Sequence, residues 1–521
     1  MTSRRLPERL MPLAAARGVA PYYGDIHNHC NISYGHGSLA TALERARLQL
    51  DFVSITGHAD WPDMPTDTPS IAHIVDFHVK GFAKLRDGWD AHFAMLQRYD
   101  SPGAFCVFPG YEIHSCQDGD YTIVYRDLAP APLILLPRPS QLGRVLHDKF
   151  GTGAFAFPHH IGYRHGARGI DWRTFDPDLS PFVEIFSMHG GSETSLTERT
   201  YLHSMGPVDG PSTMEAGLAA HHRFGVVANT DHHSGFPGSY GHGRMCVYAA
   251  GLGREDLWHA MRERRANALT GDNIHLLTVI GDAVQGGSVA PHDDAVLHVE
   301  AVGGGFINYI DVIRNGALFH RISPELSASP ITAATQAGHI ETLLYLEMGW
   351  GARGASHLWE GTVSLTGGKI LGVEPRFRGA EIVSPLEGRE SDVPLPQFSW
   401  GPDGVAFRVM AQANPNNVTP TTQGVMAHIR INSDAHIHLH LGDMSFDVPA
   451  SRLLTGAFSR NLGPIDSPAF TLHKLPQPHL WQWTGRIPLG RLNAGENVYV
   501  RLRQSRGDQM AWASPIWVDK Q

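Results

Sequence analysis

The sequence predicts an α/β fold, a parallel sheet in open or barrel form, followed by one or two β-sandwich modules. Up to about residue 270, short apolar runs alternate with helical stretches, the signature of strands crossing over through helices. Beyond that point helical periodicity fades, and Gly, Pro and alternating strand patterns take over. In the first part the apolar runs also end in histidine or carboxylate. That places polar side chains where an α/β barrel gathers its site, at the carboxyl ends of the strands.

The expected strands are 22–27, 52–56, 105–108, 154–157, 182–186, 225–229 and 245–249. A helix is expected after Ser38, a suitable N-cap, with Leu39, Ala42, Leu43, Ala46 and Leu50 on one face. Two more cover 212–222 and 254–266, the latter burying Leu257, Trp258 and Met261. The later strands include 296–302, 309–314, 406–411, 425–431 and 498–503, with connections near 388–404 and 412–424. The expected division is an extension at 1–20, a catalytic domain at 21–280 and a β-rich region at 281–521.

Composition narrows the function. The 521 residues are 42% hydrophobic and 18% charged, a globular balance. A net charge of −9 leaves no basic excess for phosphate backbones, so general nucleic-acid binding is excluded. No run is long enough to span a bilayer, and no signal-type segment opens the sequence. Cys30, Cys106, Cys116 and Cys246 are too few to staple the chain and read as free thiols, so a cytoplasmic protein is expected. A homo-oligomer is compatible with all of this.

Histidine is the outlier, with 21 of 32 at or before His275. The apolar runs deliver His27 and His29, then His58, Glu112, His159 and His160, Glu184 and His189, and finally Asp231, His232 and His233. An HxH pair can turn two imidazoles toward one ion, and Asp231-x-His233 repeats the spacing. A carboxylate such as Glu112 can bridge two cations. Each motif alone is more often an ordinary polar face or turn, and their coincidence at equivalent positions carries the metal assignment. His436, His438 and His440 also alternate, but without companion carboxylates they read as a solvated strand face.

Gly24-Asp-Ile-His-Asn-His29, Ile55-Thr-Gly-His-Ala-Asp60, Gly110-Tyr-Glu112, Pro158-His-His160 and Thr230-Asp-His-His233 together resemble the ordered motifs of the PHP (polymerase and histidinol phosphatase) superfamily. The resemblance covers roughly residues 20–275. The segments 184–193 and 264–271 are similar to a bacterial branch of larger members with a β-rich tail. It implies a distorted (β/α)7 TIM-like barrel holding two or three divalent metal ions (Zn, Mn or Fe). By motif, His27, His29, Glu112 and Asp231 would hold one ion, Glu112 and His160 (or its neighbour His159) a second, and His58 and His233 a third. Ser33-Tyr34-Gly35 replaces the family's Ser-Asp-Gly, which makes His36 the candidate for the missing ligand. Gly119-Asp120-Tyr121 stands where relatives often place a histidine, so Asp120 is the candidate there.

The expected chemistry is metal-assisted hydrolysis, with a phosphoesterase acting on a small anionic metabolite as the leading activity. His189 or His232 would protonate the leaving group. Arg164 and Arg168, in the loop 162–169, suit phosphate or carboxylate groups. The alternatives are cleavage of an amide, ester or C–C bond of a small organic acid, and a non-catalytic metal- or ligand-binding protein. Tyr34, Trp61 and Trp172 stand in or near the ligand-bearing loops. Trp481 and Trp483, two apart on an expected strand, read as domain-interface residues.

Overall fold

A computed structural model describes residues 7–197, 199–327, 338–382, 393–413, 421–505 and 507–519. The first part runs β1 (Ala20–Asp25), α1 (Leu39–Gln49), β2 (Phe52–Asp60), α2 (Ala72–Tyr99), β3 (Cys106–Ile113), β4 (Asp120–Tyr125), β5 (Ala154–His159), β6 (Phe182–Ser187), α3 (Met214–Ala219), β7 (Gly225–Ala228), β8 (Arg244–Ala249), α4 (Arg254–Arg262) and β9 (Ala266–Leu269). Ser38 caps α1 by accepting the Thr41 amide at 3.1 Å, and Leu39, Ala42, Leu43 and Ala46 are buried as their spacing requires. Helix α2, which the apolar spacing did not single out, buries Phe82, Leu85, Trp89, Phe93 and Leu96 against β2 and β3. The expected helices at 212–222 and 254–266 are shorter than their patterns, the second because Ala266 already begins β9.

The wall is a mixed, open sheet rather than a closed (β/α)7 barrel. Strands β1, β2 and β3 are parallel, with Gly24 opposite Phe52 and Phe52 opposite Cys106. The β3–β4, β4–β5, β1–β8 and β8–β9 pairs are antiparallel. Between β3 and β4 the chain is too short for a helical crossover, so the two must form an antiparallel pair. β6 and β7 pair in parallel as part of a separate small sheet. β6 lies against β5, and β7 against β9, without a ladder joining either pair among the described residues.

Main-chain pairing crosses the expected division at residue 280. Met510–Ala513 pairs with β9, Leu269 facing Ala511, and Asn497–Gln504 and Ile307–Arg314 add further strands to the same sheet. His275–Ile280 pairs with His292–Val302, which in turn pairs with Gln482–Leu492. A second large sheet, built on Ile340–Gly349, His357–Arg376, Gly404–Ala411 and Gln423–Leu441, encloses its own apolar core. The expected connections at 388–404 and 412–424 fall partly outside the described residues; within the first, Gln397–Gly401 is a strand. Trp481 ends a helical turn, fully buried with Val302, Leu343, Tyr345 and Met426, while Trp483 lies on the following strand. His436, His438 and His440 alternate on a half-exposed strand face, with His436 Nδ1 2.7 Å from Asp447. All four cysteines are free, and no described helix is long and apolar enough to cross a membrane.

Candidate metal centre

The carboxyl ends of β2, β3 and β5 and the loops after β1, β3, β5, β6 and β7 converge on one buried cluster. Its first anchor is Asp25, at the end of β1. This carboxylate accepts the Thr230 hydroxyl at 2.5 Å and the Gly238 amide at 2.9 Å, tying the loop after β7 to the loop after β1. Strand β1 stops at Asp25, so His27 and His29 stand in the loop beyond it, and both still turn inward, with ring centroids 5.3 Å apart. His160, Arg168 and Asp231 hold φ of 46°, 74° and 50°, a left-handed backbone that costs a side-chain-bearing residue about 1–3 kcal/mol. Strain of this kind persists where the surrounding structure fixes it, and here it aims His160 and Asp231 at each other, 3.1 Å apart.

Two carboxylates organise the cluster. Glu112 Oε2 faces His27, His29 and His58 at 3.3, 3.2 and 3.6 Å, while Oε1 faces His114 and His159, each at 3.2 Å. Asp231 Oδ1 faces His29 at 2.9 Å and His27 at 3.4 Å, and Oδ2 faces His189 at 2.9 Å and His160 at 3.1 Å. Each carboxylate therefore presents its two oxygens to different histidines, the arrangement of a ligand that bridges neighbouring cations. Five overlapping sets bring their donor atoms within 4.8 Å of one another: His29/His58/His233, His27/His29/Glu112/Asp231, His58/Glu112/His114, Asp120/His159/His160 and His160/His189/Asp231.

The outer nitrogens show which inner ones offer lone pairs. His27 Nδ1 donates to Glu184 at 2.9 Å, and Glu184 is itself held by the Asn229 amide, also at 2.9 Å. His233 Nδ1 donates to the Asp231 carbonyl at 2.8 Å, leaving its Nε2 without a proton in the neutral ring. His58 Nδ1 meets the Ser33 hydroxyl and His159 Nδ1 the Thr122 hydroxyl, both at 3.1 Å. Burial lowers the pKa of His58, His159, His160 and His233, which keeps these rings neutral and ligand-competent. Burial opposes charge at Glu112 and Asp231 too. Their pKa values are nonetheless lowered by the surrounding imidazoles, His114 foremost at Glu112 and His27 foremost at Asp231.

These donors fit divalent cations. Glu112 and Asp231 need positive charge between them, and protons on His27 and His29 are one source. The pKa of both is raised because neighbouring carboxylates outweigh burial, Asp231 and Glu184 at His27 and Asp231 and Glu112 at His29. Metal ions are the other source, and they also satisfy atoms that protons leave stranded. Asp231 Oδ2 and His189 Nε2 lie 2.9 Å apart yet are not aligned for a hydrogen bond, and His114 Nε2 and His160 Nδ1 are buried without a hydrogen-bond partner among the described residues.

The structure gathers His27, His29, His58, Glu112, Asp120, His159, His160, Asp231 and His233, and it revises several expectations. His159, rather than the favoured His160, faces Glu112, and His160 faces Asp231. His189, expected as a proton donor free of metal, belongs to a ligand set with His160 and Asp231. His36 joins no such set and lines a separate cavity with Ser38, Thr41 and Arg45. His232 is turned toward His242, with ring centroids 5.1 Å apart, and its Nδ1 meets the Ser234 hydroxyl. Arg168 is committed to Asp120, at 2.5 and 2.9 Å, and lies over Trp61, whereas Arg164 is exposed. Tyr34 stacks on His58 at 3.8 Å; Trp172 instead packs with Phe175 and Phe224. His114 was missed. Its signal was the alternation already used for His27 and His29: Glu112-x-His114 spans the end of β3 and turns both side chains one way.

No family model matches the chain. It is 28% identical over 177 residues to an uncharacterised protein of Chlamydia pneumoniae, the match covering 30% of this chain and 28% of that protein. Among solved structures, it is similar to a two-domain protein from Bacteroides vulgatus containing a predicted PHP-like metal-dependent phosphoesterase. That likeness has 14% identity and a TM-score of 0.32, over 57% of this chain and 80% of the other. PsfC from Pseudomonas syringae is a second, with 15% identity and a TM-score of 0.27, over 44% and 82%.

Proposed function

We propose that the chain is a metal-dependent hydrolase with two or three divalent cations, zinc, manganese or iron, acting as a phosphoesterase on a small anionic metabolite. One observation carries this reading: Glu112 and Asp231 each divide their oxygens between separate groups of histidines. When bound there, divalent cations supply a water acidified toward neutral pH and positive charge for the substrate's developing negative oxygen. Glu184, Ser33 and Thr122 orient the ligand rings, a role that tunes both affinity and ligand basicity. His189, expected as a proton donor, serves in this reading as a ligand beside His160 and Asp231. Arg164 is the guanidinium of its loop left to meet a substrate anion, and Arg168 holds Asp120 in place.

The second reading is cleavage of an amide, ester or C–C bond of a small organic acid, whose carboxylate the same loop would meet as well as a phosphate, with Arg168 spent on Asp120 in either case. Elemental analysis of protein purified without an affinity tag, followed by turnover of an aryl phosphate with zinc, manganese and iron, separates the two. Stoichiometric metal with phosphate release supports the phosphoesterase. Stoichiometric metal without phosphate release moves the assignment to the organic acid, and absence of bound metal under all three additions overturns both. Asp231→Ala is expected to lose at least one equivalent of metal together with the activity; an unchanged metal content refutes the ligand assignment.

A further inference from the structure

A cavity of about 610 Å³ lies at the seam between the first sheet and the later strands. One wall is the segment Phe186, Ser187, Met188 and Gly190, on either side of His189. Arg376, Arg378, Lys474 and Gln504 also line it. This space is separate from the metal centre, since none of the clustered ligand residues lines it.

The cavity is built for negative charge. The Arg376 guanidinium is buried and lies over the Tyr240 and Tyr345 rings at 5.3 and 4.7 Å, with Asp272 and Glu374 beside it at 3.2 and 3.3 Å. Arg378 lies 4.7 Å over the Tyr240 ring, its Nη1 donating to the Tyr240 carbonyl at 2.8 Å. Such stacking holds a guanidinium plane in a fixed pose, ready for a carboxylate or phosphate. The carboxylates of the cavity are already engaged: Glu381 with His242 at 3.0 Å, Glu347 with His473 at 2.9 Å, and Asp272 with Arg376 and, at 2.6 Å, Gln504. Arg378 and Lys474, by contrast, have no ion pair among the described residues. Buried polar atoms repeat the signal. The Nε donors of Arg376 and Arg378 have no hydrogen-bond partner among the described residues, as expected where an anion would accept from them.

We propose that this cavity is a binding site for a small organic anion carrying carboxylate or phosphate groups, distinct from the metal centre. Arg378 and Lys474 supply its charge, and the Nε donors of Arg376 and Arg378 its directional hydrogen bonding. Such a ligand touches Ser187 and Met188 and so braces the segment that carries His189.

The test is calorimetric titration of the full-length protein with inorganic phosphate and, separately, with citrate. The Asp231→Ala variant is titrated in parallel, because cations at the metal centre also attract both anions. Binding of either probe that persists in Asp231→Ala and weakens at least tenfold in Lys474→Glu supports the site. Lys474 is exposed, so this substitution leaves folding intact, and Arg378→Ala is expected to act in the same direction. Preference for phosphate or for citrate identifies the anionic group. Binding that disappears in Asp231→Ala, that is unchanged in Lys474→Glu, or that is absent for both probes overturns the proposal. None of these outcomes bears on the hydrolase assignment, which rests on metal content.

Discussion

His27 is fixed from both ends: Glu184 accepts a hydrogen bond from its Nδ1, and Nε2 faces Glu112 and Asp231. Exchanging the Glu184 carboxylate for an amide keeps the shape and removes the charge that makes Nε2 a strong donor. Glu184→Gln is therefore expected to lower metal affinity about 10- to 100-fold, read by competition with a chromogenic chelator. Another histidine tests burial without metals. His428 is buried beside Glu341 at 3.2 Å, and burial lowers its pKa to about 4 despite that carboxylate. In the folded state it stays neutral below its unfolded pKa of about 6.5. Unfolded chains take up a proton there first, so its contribution to stability is full above pH 6.5 and is lost as pH falls toward 4. The stability advantage of the wild type over His428→Gln is expected to shrink across that window in urea titrations. Arg9 and Arg430 pair with the same Glu341.

At the scale of elements, the Ser38 cap sets where α1 begins and hence where the helix meets the loop of His29. Ser38→Ala is expected to cost about 1 kcal/mol in chemical denaturation without changing metal content. The same scale explains what could be read beforehand. Apolar runs ending in His27, His58, Glu112, His159 and Asp231 were legible, because a buried strand and a polar terminus leave opposite marks on a sequence. Strand β4 was not: Asp120-Tyr-Thr-Ile-Val-Tyr125 is short and buried throughout, so it lacks the alternation of a one-sided strand. Sheet closure was not legible either, since it depends on whether β5 meets β6 through backbone hydrogen bonds or only through side chains. The fate of Arg168 was hidden for a related reason: its partner Asp120 lies 48 residues away and arrives on a strand that the pattern did not reveal.

For the whole molecule, the joint between the two ends of the chain is chemical as well as topological. Glu193, in the loop after β6, accepts from the Tyr499 hydroxyl at 2.8 Å, Arg501 at 3.0 Å and the Trp512 indole at 2.8 Å. Glu193→Ala leaves the Tyr499 hydroxyl and the Trp512 indole without their acceptor, while Arg501 keeps Asp311 at 3.1 Å, and is expected to destabilise the protein by about 2–4 kcal/mol, visible as a lowered Tm. Because this joint lies beyond the His189 segment, metal retention is expected to fall with it. Pairing of Met510–Ala513 with β9 has a further outcome during synthesis. The Thr270 hydroxyl waits for the Met510 amide 240 positions later, which at about 5–20 residues per second is a delay of roughly 10–50 s on the ribosome. Throughout that interval a nascent β9 offers an unclaimed edge to any neighbouring polypeptide, making chaperone capture of half-made chains a natural companion of this architecture.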